Sequence, residues 1–272
     1  MGDDSNTTVI LKNWLADRGT FDDLENRMLK ESKLPGPRAN LGLASLFADQ
    51  FRTQPISPEQ WSLLVHWMSL NEGDAPANDP REYLPFCAVQ AMGANYGVAE
   101  EQRKDQILSF IGLAMNDSRW RLREGAAMAL QRLGEDDIAA LRSYMERRLS
   151  AATLLERRAF VAALAHPPIL QKEDNARFAL QISEEILTEL AAGRPEGSRE
   201  ETRVLCQGLE YAVSLFVEKL PKEGFELLGK YAVSKDERLR KIVKSNLGKA
   251  RLAKKYPGEV GVIADLVESG SK

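Results

Sequence analysis

Asp117-Ser118-Arg119-Trp120-Arg121-Leu122-Arg123-Glu124-Gly125-Ala126-Ala127-Met128-Ala129-Leu130 is the stretch whose reading decides the fold. Ala126, Ala129, Leu130 and Leu133 fall at the 3, 4 and 7 spacings of one helix face, and Asp117-Ser118 supplies the turn before it. The face is made of small residues, which lets a neighbouring helix approach closely. The pattern recurs 35 residues later around Arg158, and again around Lys244. In each copy a basic residue is followed at i+3 and i+6 by small or aliphatic residues: Ala126 and Ala129, Val161 and Leu164, Leu247 and Ala250. The apolar run Tyr83-Leu84-Pro85-Phe86-Cys87-Ala88-Val89 precedes the first copy by a similar interval, without the base. Such a period holds two helices and two turns, the unit of an α-solenoid.

Outward from that stretch the chain reads as helix from end to end. Ser57-Pro58-Glu59-Gln60 is a capping box with proline at the first helical position. Asp79-Pro80 opens another helix, and Gly134 is placed just past the end of the helix that starts near 119. Further helices are predicted over 101–115, 137–149, 153–165, 173–191, 199–219, 222–232, 237–255 and 259–268, giving about thirteen in all. The expected fold is an all-α, right-handed solenoid forming a single continuous domain. Residues 1–98 are its degenerate part and 99–272 its regular part. The acidic stretch 71–80 is the one candidate boundary, expected as a mobile loop.

The residues Asp117 through Ala127 resemble the second helix of a HEAT repeat, with its turn Asp, helix Arg and Ala-Ala pair, and Asp236 through Leu252 is similar to a terminal helix of that kind. The resemblance implies a ladder between turn Asp and helix Arg, here Asp117 and Arg123, and a binding rather than catalytic role. The basic helical repeats also resemble the DNA alkylation-repeat glycosylases. No Trp-x-x-x-Asp occurs, and Trp120-x-x-x-Glu124 is the nearest form of the acid that resemblance implies.

Composition narrows the function classes. With 43% hydrophobic and 28% charged residues the chain is ordinary for a globular protein, and a net charge of −3 argues against a whole-molecule polycation. The charge is polarised: residues 1–100 net −6, whereas 235–255 carry nine basic and two acidic side chains. Cys87 and Cys206 are expected as buried, reduced thiols, and two histidines 100 residues apart do not suit a zinc site. No phosphate loop, dinucleotide fingerprint, nucleophile elbow or zinc-protease motif is present, so no cofactor or catalytic residue is assigned. With no apolar leader, no 18-residue apolar window and Asn6 in place of a myristoylation Ser or Thr, a cytoplasmic location off the membrane is expected.

The candidate site is therefore a binding surface. Trp120, Arg123, Glu124, Met128 and Gln131 are placed on the concave face of the array, with Arg158, Lys244 and Asn246 at equivalent positions, to hold a protein partner. Trp14, Trp61 and Trp67 are read as core. Lys241, Lys244, Arg251 and Lys255 form one stripe that Arg240 widens, a candidate phosphate-binding surface. A DNA-binding or DNA-repair role is the alternative it supports. Acids from the negative first 100 residues are the expected intramolecular partners of that stripe if phosphate is not.

Overall fold

The computed structural model describes residues 2–194 and 196–270; Met1, where the myristoylation reading begins, and Pro195 in one predicted connection lie outside them. Among the described residues there are fifteen α-helices, four short 3-10 turns and no strand. The helices are α1 (Gly2–Ala16), α2 (Phe21–Glu31), α3 (Leu41–Asp49), α4 (Pro58–Ser69), α5 (Tyr83–Asn95), α6 (Glu101–Met115), α7 (Trp120–Asp136), α8 (Ile138–Leu149), α9 (Leu154–Leu164), α10 (Glu173–Ala191), α11 (Arg199–Lys219), α12 (Pro221–Ala232), α13 (Glu237–Leu247), α14 (Ala250–Ala253) and α15 (Pro257–Ser269). The count exceeds thirteen for two reasons. α3 arises from Leu-Gly-Leu-Ala-Ser-Leu-Phe-Ala-Asp behind an Asn40 cap, and the predicted 237–255 helix breaks at Gly248-Lys249.

The contacts divide the chain into two compact units, Met1–Leu141 and Arg142–Lys272. In the first unit α5 packs on α3 and α7, with α4 and α6 against it from a second layer. In the second unit α11 takes the same place, flanked by α9 and α13 and backed by α10 and α12. Each unit is thus a two-layer stack of helices, the solenoid arrangement the repeat predicts. The division falls inside α8, whereas the change of character in the sequence falls near residue 98, across which α5 packs on α7.

Small residues make the α5–α7 contact. A Cβ on Gly93 would lie 2.5 Å from the Ala129 carbonyl oxygen, and one on Gly125 would lie 2.9 Å from Val89 Cγ1. Ala126 and Ala129 are fully buried beside them. All thirteen residues of α5 are buried, as expected of a helix apolar all round, and Pro85 is tolerated because it lies in the first turn. A sealed α5 leaves no side chain of that helix for an open binding stripe.

Three local expectations change. The Ser57–Gln60 box forms as read, but α7 runs through Gly134 to Asp136. The 71–80 loop is pinned rather than loose: Arg119 Nη1 donates to the carbonyls of Leu70 (2.9 Å) and Ala75 (3.1 Å). Of the three tryptophans read as core, Trp67 is fully buried and donates to Glu25 at 2.9 Å. Trp14 and Trp61 are half-buried beneath the guanidiniums of Arg27 and Arg103, at 5.7 and 4.1 Å. Cys87 and Cys206 are free and buried.

Candidate binding face of the second unit

At the start of α7, Asp117 pairs with Arg119 and not with the Arg123 side chain that the resemblance implies. Asp117 is gripped by Arg119, two residues on, through Nε and Nη2 at 2.8 Å each. Arg123 donates to the carbonyls of Asp117 and Ser118, both at 2.7 Å. The same turn recurs at Asp236-Glu237-Arg238. Arg238 holds Asp236 (2.6 Å) and reaches the Leu190 carbonyl at the end of α10 (3.2 Å), while Arg240 donates to the Ser234 carbonyl. Asp79 and Arg81 form a third such pair, 2.9 Å apart. At Arg119 and Arg238 the arginine closes its own turn and also ties it to the end of an earlier helix, at Leu70 and Leu190. The partner is local because an Asp two residues before an Arg lies within reach of the fork without any neighbouring repeat. The bonds from Arg238 hold the Asp236 carboxyl below its usual range.

On α7 the predicted stripe is only part of a surface. Trp120 is 47% exposed and lies 4.5 Å from the Arg121 guanidinium. Glu124, Met128 and Gln131 are half-buried beside it, as is Arg123. Arg121 turns inward to a buried pair with Glu82 at 2.9 Å and also donates to the Gly36 carbonyl. Arg158 on α9 is half-buried, and Lys244 on α13 is exposed.

Asn246 does not belong to a binding stripe. It is fully buried, and its Nδ2 donates to the carbonyls of Leu209 (2.9 Å) and Ile242 (2.8 Å) while its Oδ1 accepts from the Ser214 amide (2.7 Å). Its position in the helix turns it toward α11, where its amide bonds the neighbouring backbone. The basic stripe is also rearranged. Lys241 pairs with Glu210 at 3.0 Å, Arg251 with Glu218 at 3.9 Å, and Lys255 with Glu218. The acids come from α11, not from the first 100 residues, because the break at Gly248 swings Arg251 and Lys255 across to the C-terminal half of α11. Arg251 also donates to Ser214 Oγ at 2.8 Å.

Contacts advance in step along the two helices, from Arg238 and Lys241 beside Cys206, through Ser245 with Glu210, to Asn246 with Ser214, so α11 and α13 run parallel. Their exposed side carries Arg203, Gln207 and Tyr211 on α11. Tyr211 is 56% exposed, with Lys249 and Arg251 at 5.8 and 5.3 Å from its ring. Near the start of α11 a cavity of about 340 Å³ opens between the helices, lined by Arg199, Arg203, Arg238 and Lys241 with Thr202, Cys206, Gln207 and Glu210. Burial raises the Cys206 thiol above its ordinary range, so the cavity wall holds a neutral thiol at pH 7. A second cavity of about 360 Å³ shares Thr202 and Arg238 and adds Arg194.

Of the predicted residues, Lys241 alone lines these cavities. Sequence reasoning missed Arg199, Arg203, Gln207 and Arg238. The signal was present: the Ser198–Glu201 capping box fixes the start of α11, and Arg199, Arg203 and Gln207 then follow at intervals of four.

No helix among the described residues is long and apolar enough to cross a membrane, and no group of three or more metal-ligating side chains occurs among them. No family model matches the chain, and no curated protein matches it. Among solved structures, the chain is similar to a designed armadillo repeat protein at 16% identity. That match covers 83% of this chain and 98% of the other, with a TM-score of 0.30. It is similar also to an engineered protein at 11% identity, over 96% of this chain and 97% of the other, with a TM-score of 0.36. The helical-repeat architecture stands on the helix packing itself.

Proposed function

We propose that this chain is a non-catalytic helical-repeat module that holds a protein segment across the α11–α13 face of its second unit. The observation that carries this reading is the row of exposed polar and aromatic side chains on α11, from Arg203 through Gln207 to Tyr211, beside a cavity lined by α11 and α13. From residue 206 to 218 the face extends about 18 Å at 1.5 Å per residue, the span of roughly five extended residues. Gln207 offers a donor and an acceptor to a backbone, and Tyr211 offers a flat amphipathic surface. Glu210 and Glu218 occupy part of the basic stripe, which makes a nucleic-acid backbone a poorer occupant than a protein segment.

The test is capture from native extract treated with nuclease, using the wild type and a Gln207→Glu/Tyr211→Ala variant. Both changes are at exposed positions and should alter stability by less than about 0.5 kcal/mol each. The reading expects a protein that survives nuclease and is lost with the variant. A protein retained equally by the variant would place recognition elsewhere. Capture abolished by nuclease would favour the DNA-associated role, which a salt-titrated duplex-binding assay would then show as log affinity falling linearly with log salt concentration.

A further inference from the structure

We infer that the cavity at the start of α11 is an oxyanion site that takes a phosphate-bearing side chain of the bound segment, an inference that rests on the reading of this face as a protein-binding surface. Four cationic side chains from two helices line a cavity of about 340 Å³, and Glu210 is the one acid among the lining residues. That volume holds roughly ten waters at about 30 Å³ each, room for a phosphoryl group and its side-chain stem.

Two of the guanidiniums are held in place from outside. Glu200 takes Arg203 through Nε (2.8 Å) and Nη2 (2.5 Å). Asp236 takes Arg238 through Nε (3.1 Å) and Nη2 (2.6 Å). Each acid fixes the plane of its fork through the same two nitrogens, so each Nη1 remains as a donor in an already ordered group. Ordering donors before the ligand arrives lowers the entropy lost on binding. Arg199 makes no ion pair among the described residues and sits one helical turn before Arg203, on the same face.

The donor set favours phosphate over carboxylate. A carboxylate offers two oxygens and one charge, which a single arginine can satisfy. A phosphomonoester offers three oxygens and a charge of about −1.5 to −2 at pH 7, which suits three separate guanidinium forks, the Lys241 ammonium being already paired with Glu210. The neutral thiol of Cys206 adds no opposing charge.

The experiment is an amide-resolved NMR titration of the full chain at constant low ionic strength. The probes are inorganic phosphate, N-acetyl-O-phosphoserine amide and N-acetylglutamate amide. The expected result is saturable shifts at Thr202, Arg203 and Gln207 with both phosphate probes, and affinity for the phosphoserine probe roughly fivefold or more above the glutamate probe. Arg199→Gln, which removes a cation without breaking an ion pair, should weaken the phosphate probes severalfold, and Arg203→Gln should do the same. Three results would overturn the inference: no saturable shift at these amides, equal affinity in the wild type and both variants, or equal affinity for phosphoserine and glutamate. The inference and the function it rests on fail separately. Phosphate binding here with no captured protein would remove the partner and leave the oxyanion site, and a nuclease-resistant partner captured without phosphate binding would do the reverse.

Discussion

Asn246→Ala separates a buried structural amide from a binding residue. The side chain makes three hydrogen bonds of 2.7 to 2.9 Å, two of them to the backbone of α11, and it is fully buried. At about 1 kcal/mol net for each buried hydrogen bond, and with the Leu209 carbonyl losing this donor, the second unit should lose about 2–4 kcal/mol. A residue pointing into an open groove would change stability by less than about 0.5 kcal/mol. The assay is urea unfolding with hydrogen exchange read at the Ser214 amide, because two compact units need not unfold as one transition. The expected outcome is a lower midpoint for the second unit and faster exchange at Ser214. A change below about 1 kcal/mol, with exchange at Ser214 unaltered, would refute the tie between α13 and α11.

Glu82→Gln should cost the first unit about 3–5 kcal/mol in urea unfolding, because it leaves the buried Arg121 charge without its partner. Gly93→Ala should lower the thermal midpoint of the first unit, since its methyl would meet the Ala129 backbone at 2.5 Å. Gly229→Ala, with nothing within 4 Å of its added carbon, should be neutral or stabilising by up to about 1 kcal/mol. Asp236 is held below its unfolded value near 3.8, so its contribution is present above that pH and is lost as pH falls through the lower folded value. Asp236→Asn should remove that acid-limb loss from urea midpoints taken between pH 6 and 2. Replacing Lys241, Arg251 and Lys255 together by Gln should flatten the salt dependence of second-unit stability, because their partners Glu210 and Glu218 lie in the same unit.

The fold was legible where periodicity and small residues coincide. Gly125, Ala126 and Ala129 marked a close helix contact, and α5 and α7 meet there. Capping chemistry placed the start of α4, while the Thr153–Glu156 and Ser198–Glu201 boxes that open α9 and α11 went unread. The break after Leu247 was not legible, because Gly248 and Lys249 are each tolerated inside a helix and the alternative depended on Glu218, some thirty residues earlier. The candidate site was legible in kind and displaced in position. Charge counting drew attention to residues 235–255, yet Lys241, Arg251 and Lys255 pair with acids on α11 and Arg238 with Asp236 of its own turn, and a single sequence does not show which bases have partners in space. Asn246 was misplaced because a heptad-like position cannot reveal that an amide bonds to a neighbouring backbone.

The central claim is that the α11–α13 face receives a protein segment, and the most direct measurement is site-specific photocrosslinking in nuclease-treated native extract. One crosslinker replaces the exposed Lys244 on α13, and a control replaces the exposed Glu226 on α12. The expected result is a discrete protein adduct from position 244 that is absent from position 226 and is competed away by excess unlabelled wild-type chain. No adduct at 244, or the same adducts at both positions, would contradict it.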